Sequence, residues 1–102
     1  NNNLIAFCAL YDFQKISPDN FSCYIYGGAK RKVSKELNII LPYIFEDLKQ
    51  QGCKIIRLQT RIYNLPMRNL ANRLGFRKVG MLKCASFSNG KFIENLLYEK
   101  EL

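Results

Sequence analysis

The chain has 102 residues, 48% of them hydrophobic, and carries a net charge of +8 at pH 7. That length supports one core and no second domain, and no apolar run approaches the roughly 18 residues that a bilayer-spanning helix needs. There is no histidine, which removes the commonest general base and every Ser-His or Cys-His dyad, and the four cysteines form no C-x-x-C pair from which a zinc site would start.

Residues 4–13 (LIAFCALYDF) are apolar and aromatic and too short for a helix of ordinary length, so they predict a strand. The turn cluster Ser17-Pro18-Asp19-Asn20 follows. Residues 21–26 (FSCYIY) read as a second strand, which makes 4–26 a hairpin that Gly27-Gly28 should end.

Next comes the clearest helix. Val33, Leu37, Ile40, Leu41, Ile44, Phe45 and Leu48 fall at helical spacing on one stripe, Ser34 or a neighbour caps the start, and Gly52 supplies the stop. Pro42 has no amide to give the carbonyl of Asn38 and is expected to kink this helix, at a cost of about 3 kcal/mol that packing along the stripe offsets. Residues 54–62 then alternate, with Ile56, Leu58, Thr60 and Ile62 on one side and Arg57, Gln59 and Arg61 on the other, which is the period of a strand. Strand, helix and strand in succession make a right-handed crossover between parallel strands.

Asn64 is a good N-cap for a short second helix with Pro66 in its first turn and Met67, Leu70, Ala71 and Leu74 as its buried face. Gly75 suits the left-handed position after the last turn, with Phe76 packing back. Two further strands, 77–87 and 91–98, flank the hairpin turn signal Asn89-Gly90. The expected fold is α+β, β-β-α-β-α-β-β along the chain, with one parallel crossover in an otherwise antiparallel sheet.

Charge is unevenly spread. Residues 48–93 hold no Asp or Glu but do hold Lys49, Lys54, Arg57, Arg61, Arg68, Arg73, Arg77, Lys78, Lys83 and Lys91, and Lys30-Arg31-Lys32 with Lys35 precede the long helix. Such a field is either a solvated basic surface or a site that attracts anions, whether nucleotide-like ligands or nucleic acid. Against nucleic acid, the basic residues alternate with aliphatic ones, and no aromatic RNA-binding run is found. The cysteines read as four reduced, structural thiols of a soluble cytoplasmic protein.

At residues 64–80, NLPMRNLANRLGFRKVG resembles the second cofactor-binding motif of the GCN5-related N-acetyltransferases: an Asn after a strand, a short helix, then Leu-Gly-Phe. The residues behind it, Gly80, Lys83, Asn89-Gly90-Lys91-Phe92-Ile93-Glu94 and a final strand with Tyr98, look like the branch that acetylates N-terminal amines of ribosomal proteins. Tyr43-Ile44-Phe45-Glu46 is similar to that branch as well. The likeness covers essentially the whole chain and implies a single domain, 1–102, forming the C-terminal two-thirds of an acyl-CoA N-acyltransferase.

The resemblance implies acetyl-CoA as co-substrate, no metal, and transfer to a primary amine, either a protein N-terminus or a small amine. It places the pyrophosphate at the start of the long helix, on Lys30, Arg31, Lys32, Val33, Ser34 and Lys35, where free amides and the helix dipole favour anions. Asn64, Arg68, Asn69 and Arg73 would contact the rest of the cofactor. A backbone amide near Ile25 or Tyr26 would face the oxyanion. Relatives carry Gln/Arg-x-x-Gly-x-Gly/Ala in the pyrophosphate loop, where this chain has Ala29, Lys32 and Ser34, and many carry a Tyr where it has Ala71. Tyr24, Tyr63, Cys84 and Tyr98 remain as alternative proton donors to the leaving thiolate. Because the first strand and helices of the family are absent from this sequence, strand 4–13 is expected to be an apolar edge that pairs with a second copy. A CoA- or partner-binding module that keeps this fold without the chemistry is the alternative.

Overall fold

In the computed structural model, residues 6–29 and 34–102 are described. They form β1 (Ala6–Ser17), β2 (Asn20–Ala29), α1 (Ser34–Gln50), β3 (Cys53–Arg61), α2 (Leu65–Arg73), β4 (Arg77–Ser88) and β5 (Lys91–Glu101). This is the expected chain order. Across the single sheet the strands lie β1-β2-β3-β5-β4, so the last hairpin inserts β5 beside β3 and leaves β4 at the rim. The β2 to β3 crossover is the one parallel pairing, and every other neighbour is antiparallel.

Local chemistry explains most boundaries. Asn89 and Gly90 both take positive φ (53° and 75°) between Ser88 and Lys91, the two-residue turn that matches strand twist. At the end of α2, Gly75 has φ 86°, its N–H donates to Asn72 O (3.1 Å), and the N–H of Phe76 reaches back to Ala71 O (2.9 Å). These two bonds satisfy carbonyls that the helix leaves open. Phe76 is buried and meets Phe45 of α1 edge-on at 5.8 Å.

Two boundaries fall elsewhere than expected. β1 continues through Ser17, and Gly27-Gly28 does not end β2, because both glycines stay in register with β1 (Cys8↔Gly27, Phe7↔Gly28). A glycine pair reads as a stop only where no neighbouring strand holds it. α1 runs without a break through Pro42, since Leu41, Phe45 and Leu48 on its inner face are buried against the sheet. Ile40, expected on that stripe, is 52% exposed and lies outside it.

The core is one cluster on one face of the sheet. Cys23 and Ile25 of β2, Ile56 and Leu58 of β3 and Leu96 and Tyr98 of β5 pack against Leu41, Phe45 and Leu48 of α1 and Ala71 of α2. Burying a side chain such as Ile56 or Leu96 contributes about 1.5–3 kcal/mol. The opposite face carries Tyr11, Tyr24 and Tyr26 and the Arg57–Glu99 ion pair (2.7 Å), with no helix over it among the described residues. No described helix is long and apolar enough to cross a membrane, and no described group of His, Cys, Asp and Glu is placed to hold a metal ion.

Candidate functional site

β2 and β3 part company halfway along. Their ladder runs from Phe21↔Cys53 to Tyr24↔Arg57 and stops. Beyond it β2 stays paired with β1 as far as Ala29, and β3 stays paired with β5 as far as Arg61. The two facing edges therefore diverge with no ladder between them. The N–H of Phe21 points towards β3, donating to Gly52 O (3.1 Å). Because backbone groups alternate sides along a strand, the Ile25 N–H closes the last ladder pair on Arg57, the Ile25 carbonyl and the Gly27 backbone groups face the gap, and those of Tyr26 face β1, away from the gap where a donor was expected.

A cavity of about 820 Å³ occupies this gap. Its helix side is apolar: Ile25, Leu37, Leu41, Phe45, Leu58, Leu70, Ala71 and Phe76. Asn64, Asn69 and Arg73 of the α2 region give polar edges to the same space. Through the gap it reaches the other face of the sheet, where Gln59, Arg61, Ser86 and Asn95 line it. An apolar slot with a few convergent polar groups at a strand divergence is the usual form of a ligand site.

No protein-family model matches the sequence, and no curated protein matches it either. Solved structures do. A ribosomal-protein-alanine N-acetyltransferase from Brucella melitensis superposes at a TM-score of 0.77 with 15% identity, over 96% of this chain and 62% of that one. A structure of yncA from Salmonella typhimurium with its cofactor acetyl-CoA gives 0.78 at 10% identity, over 96% and 58%. Arabidopsis thaliana NAA60 in complex with a bisubstrate analogue gives 0.73 at 23% identity, over 97% and 66%. The chain has the GCN5-related acetyltransferase fold. It spans about three-fifths of the length of these structures.

Within that fold the residues singled out from sequence divide into three groups. Ile25, Tyr26, Asn64, Asn69 and Arg73 come together on the cavity. Asn64 also caps α2, its Oδ1 accepting the N–H of Met67 at 3.3 Å. Arg68 is placed differently from expectation: its Nη1 donates to Ile62 O at 2.9 Å, so the guanidinium folds back onto the end of β3 and does not line the cavity. Lys35 is exposed and off the cavity lining. Lys30, Arg31, Lys32 and Val33 lie outside the described residues, and Ser34 enters as the first residue of α1.

None of the alternative proton donors lines the cavity. Tyr98 is buried in the core, Tyr63 is exposed, Cys84 sits at φ 54° in a bulge of the rim strand, and Tyr24 packs on Tyr11 at 5.4 Å. Ala71, where the resemblance implies a Tyr in many members, is fully buried on the cavity wall. Sequence reasoning missed Cys8, Gln59, Arg61, Ser86 and Asn95 as cavity residues. The outward alternation of Gln59 and Arg61 on β3 was visible, but what they meet depends on the pairing with β5.

Cys23 and Cys53 are structural thiols, whereas Cys8 and Cys84 are exposed, so the expectation of four structural thiols holds for two. Cys23 and Cys53 sit 3.9 Å apart, both buried. Burial first, then the neighbouring Cys53, pushes the Cys23 thiol up to about 12, and burial raises Cys53 as well. A thiol so protonated is a poor nucleophile.

Proposed function

We propose that this chain forms the cofactor-binding part, the C-terminal two-thirds, of an acyl-CoA-dependent N-acetyltransferase that acetylates a primary amine. The observation that carries the reading is the divergence of β2 and β3 after Tyr24↔Arg57 around a cavity open to both faces of the sheet. Direct transfer needs two substrates meeting end to end, and a slot through a sheet admits one from each side. The residues present fit the cofactor. The Ile25 carbonyl and the Gly27 backbone groups face the gap and can bond an extended amide-bearing chain as a strand would, and the apolar helix side accepts its methylenes. A bound acetyl-CoA supplies the thioester. The chain's own part is to hold it, to present a backbone donor such as the Gly27 N–H, just beyond Ile25, to the oxyanion, and to exclude water with Leu58, Leu70 and Phe76. The start of α1, with Ser34 and Lys35 after the basic loop, is the proposed pyrophosphate end, and Arg73 and Asn69 are the proposed contacts towards the nucleotide.

Calorimetric titration of acetyl-CoA and of free CoA tests this. Binding in the micromolar range that weakens in the Lys32→Asp and Ser34→Asp variants is the expected result; no binding by the full-length protein would sink the reading. A second reading, a CoA-binding module without turnover, is favoured by Ala29, Lys32 and Ser34 in the loop and by Ala71 on the cavity wall. Binding without transfer to any amine would identify it. The setting we propose is the reducing cytoplasm, supported by four free cysteines, two of them 3.9 Å apart and unbonded. Self-association through the free edge of β1 belongs to the same proposal, supported by the position of β1 at the sheet margin. A ribosomal protein N-terminus is the proposed acceptor only by likeness to the first of the three structures.

A further inference from the structure

On the face of the sheet away from the helices, the cavity carries a second chemistry. Asn95 Nδ2 donates to Gln59 Oε1 (3.4 Å), and the Ser86 hydroxyl donates to Asn95 Oδ1 (3.3 Å), a polar row across β3, β5 and β4. Arg61 stands opposite Asn95 in the ladder, on the same face. Arg57, four pairs earlier, is held by Glu99, whereas Arg61 is exposed and makes no ion pair with any described residue.

No Asp or Glu lines this cavity, and residues 1–5 and 30–33 contain none. The charged side chains of the described lining are Arg61 and Arg73, which repel a polycation, whereas a carboxylate meets a planar guanidinium that can bind it through two parallel bonds.

Resting on the transferase reading, we infer that the acceptor is a primary amine with a carboxylate close by, and that Arg61 holds that carboxylate while Gln59, Asn95 and Ser86 bond the adjoining polar groups. Arg61 is then a specificity-determining residue on the side opposite the cofactor. The carboxylate has two sources, the acceptor's own in a free amino acid or an acidic side chain next to a peptide N-terminus.

The test follows release of the CoA thiol by the full-length protein, with free alanine and alaninamide and with peptides whose second residue is Glu, Gln or Lys. The wild type should favour free alanine over alaninamide, or the Glu peptide over the Lys peptide, by about tenfold or more in kcat/KM, as a charge-assisted pair implies. Which of free alanine and the Glu peptide leads tells the source. Arg61→Glu should reverse the order, Arg61→Lys should retain it, and the KM for acetyl-CoA should stay constant across all three proteins. Equal rates across the panel, a preference that survives Arg61→Glu, or a change in acetyl-CoA KM with Arg61 would overturn the inference while leaving transfer intact. A protein that binds no acetyl-CoA by calorimetry fails one step earlier and removes both.

Discussion

Gly52 is the residue whose replacement the structure penalises most legibly. It follows α1 at φ 104°, a region that side chains rarely enter, and a Cβ built there would stand 2.5 Å from the backbone oxygen of Asp19. Its own carbonyl accepts two hydrogen bonds at 3.1 Å, from the N–H of Phe21 and from Asn20 Nδ2, which tie the first hairpin to the start of β3. In Gly52→Ala the backbone strain costs about 1–2 kcal/mol. The clash is with main chain and cannot be relieved by a rotamer change, so the hairpin tip must move and weaken both bonds, each contributing about 1 kcal/mol. The expected loss is about 3–4 kcal/mol, against a total of about 5–15 kcal/mol for a domain of this kind. In a melt this lowers the midpoint by about 12–30 °C. Gly90→Ala is the control: φ is 75° and no atom lies within 4 Å of the added Cβ, so only strain of about 1–2 kcal/mol applies. If both variants melt together, or Gly52→Ala melts within about 1 kcal/mol of the wild type, the contact argument is refuted.

Asn64→Ala should cost about 1 kcal/mol through the lost cap on Met67 N–H and should also weaken acetyl-CoA binding. Asn64→Ser should restore the melting point but not the affinity, and restoration of both would confine Asn64 to capping. The folded Cys23 keeps its proton up to about pH 12, while the unfolded thiol releases it near its ordinary 9.0. Its contribution is therefore complete below about pH 9 and falls as pH rises towards 12; urea midpoints at neutral and high pH should show the decline, reduced in Cys23→Ala, and an unchanged slope in that variant would contradict the assignment. Sedimentation should show self-association through β1 that rises with concentration, and a persistent monomer would remove that part of the proposal.

The features legible in the sequence are those written in a few adjacent residues. Asn89-Gly90 specifies its own turn because both positions need positive φ. Asn64 with Pro66 starts α2, and Gly75-Phe76 ends it with the expected positive φ and buried ring. Each choice is local, so tertiary context had only to agree with it. What could not be read depends on neighbours distant in sequence. Gly27-Gly28 looks like a strand end until β1 is placed beside it. Arg68 looks solvated until the carbonyl of Ile62 comes within 2.9 Å. The row Ser86, Asn95 and Gln59 is set by an irregularity between Leu82 and Ser86, where Cys84 takes φ 54°. Cysteine has no special tolerance for that conformation, so no residue type announces the bulge.

The gap between β2 and β3 joins stability to function. A sheet that opens in its middle loses ladder bonds it would otherwise form, and the inner edges of Leu58 to Arg61 and of Ile25 and Gly27 turn towards a cavity. The outer edges compensate, with β1 holding β2 from Asn20 to Ala29 and β5 holding β3 from Ile55 to Arg61. An occupant that presents amide groups to those inner edges restores the missing ladder, so binding energy and folding energy act through the same backbone atoms. The core is as tight beside the gap as at the paired end: Ala71 and Leu96 are 0–1% exposed, like Cys23, Cys53 and Ile56. The paired end of the sheet thus fixes the angle at which the open end diverges, and in the proposed reading the open end is completed by what it binds.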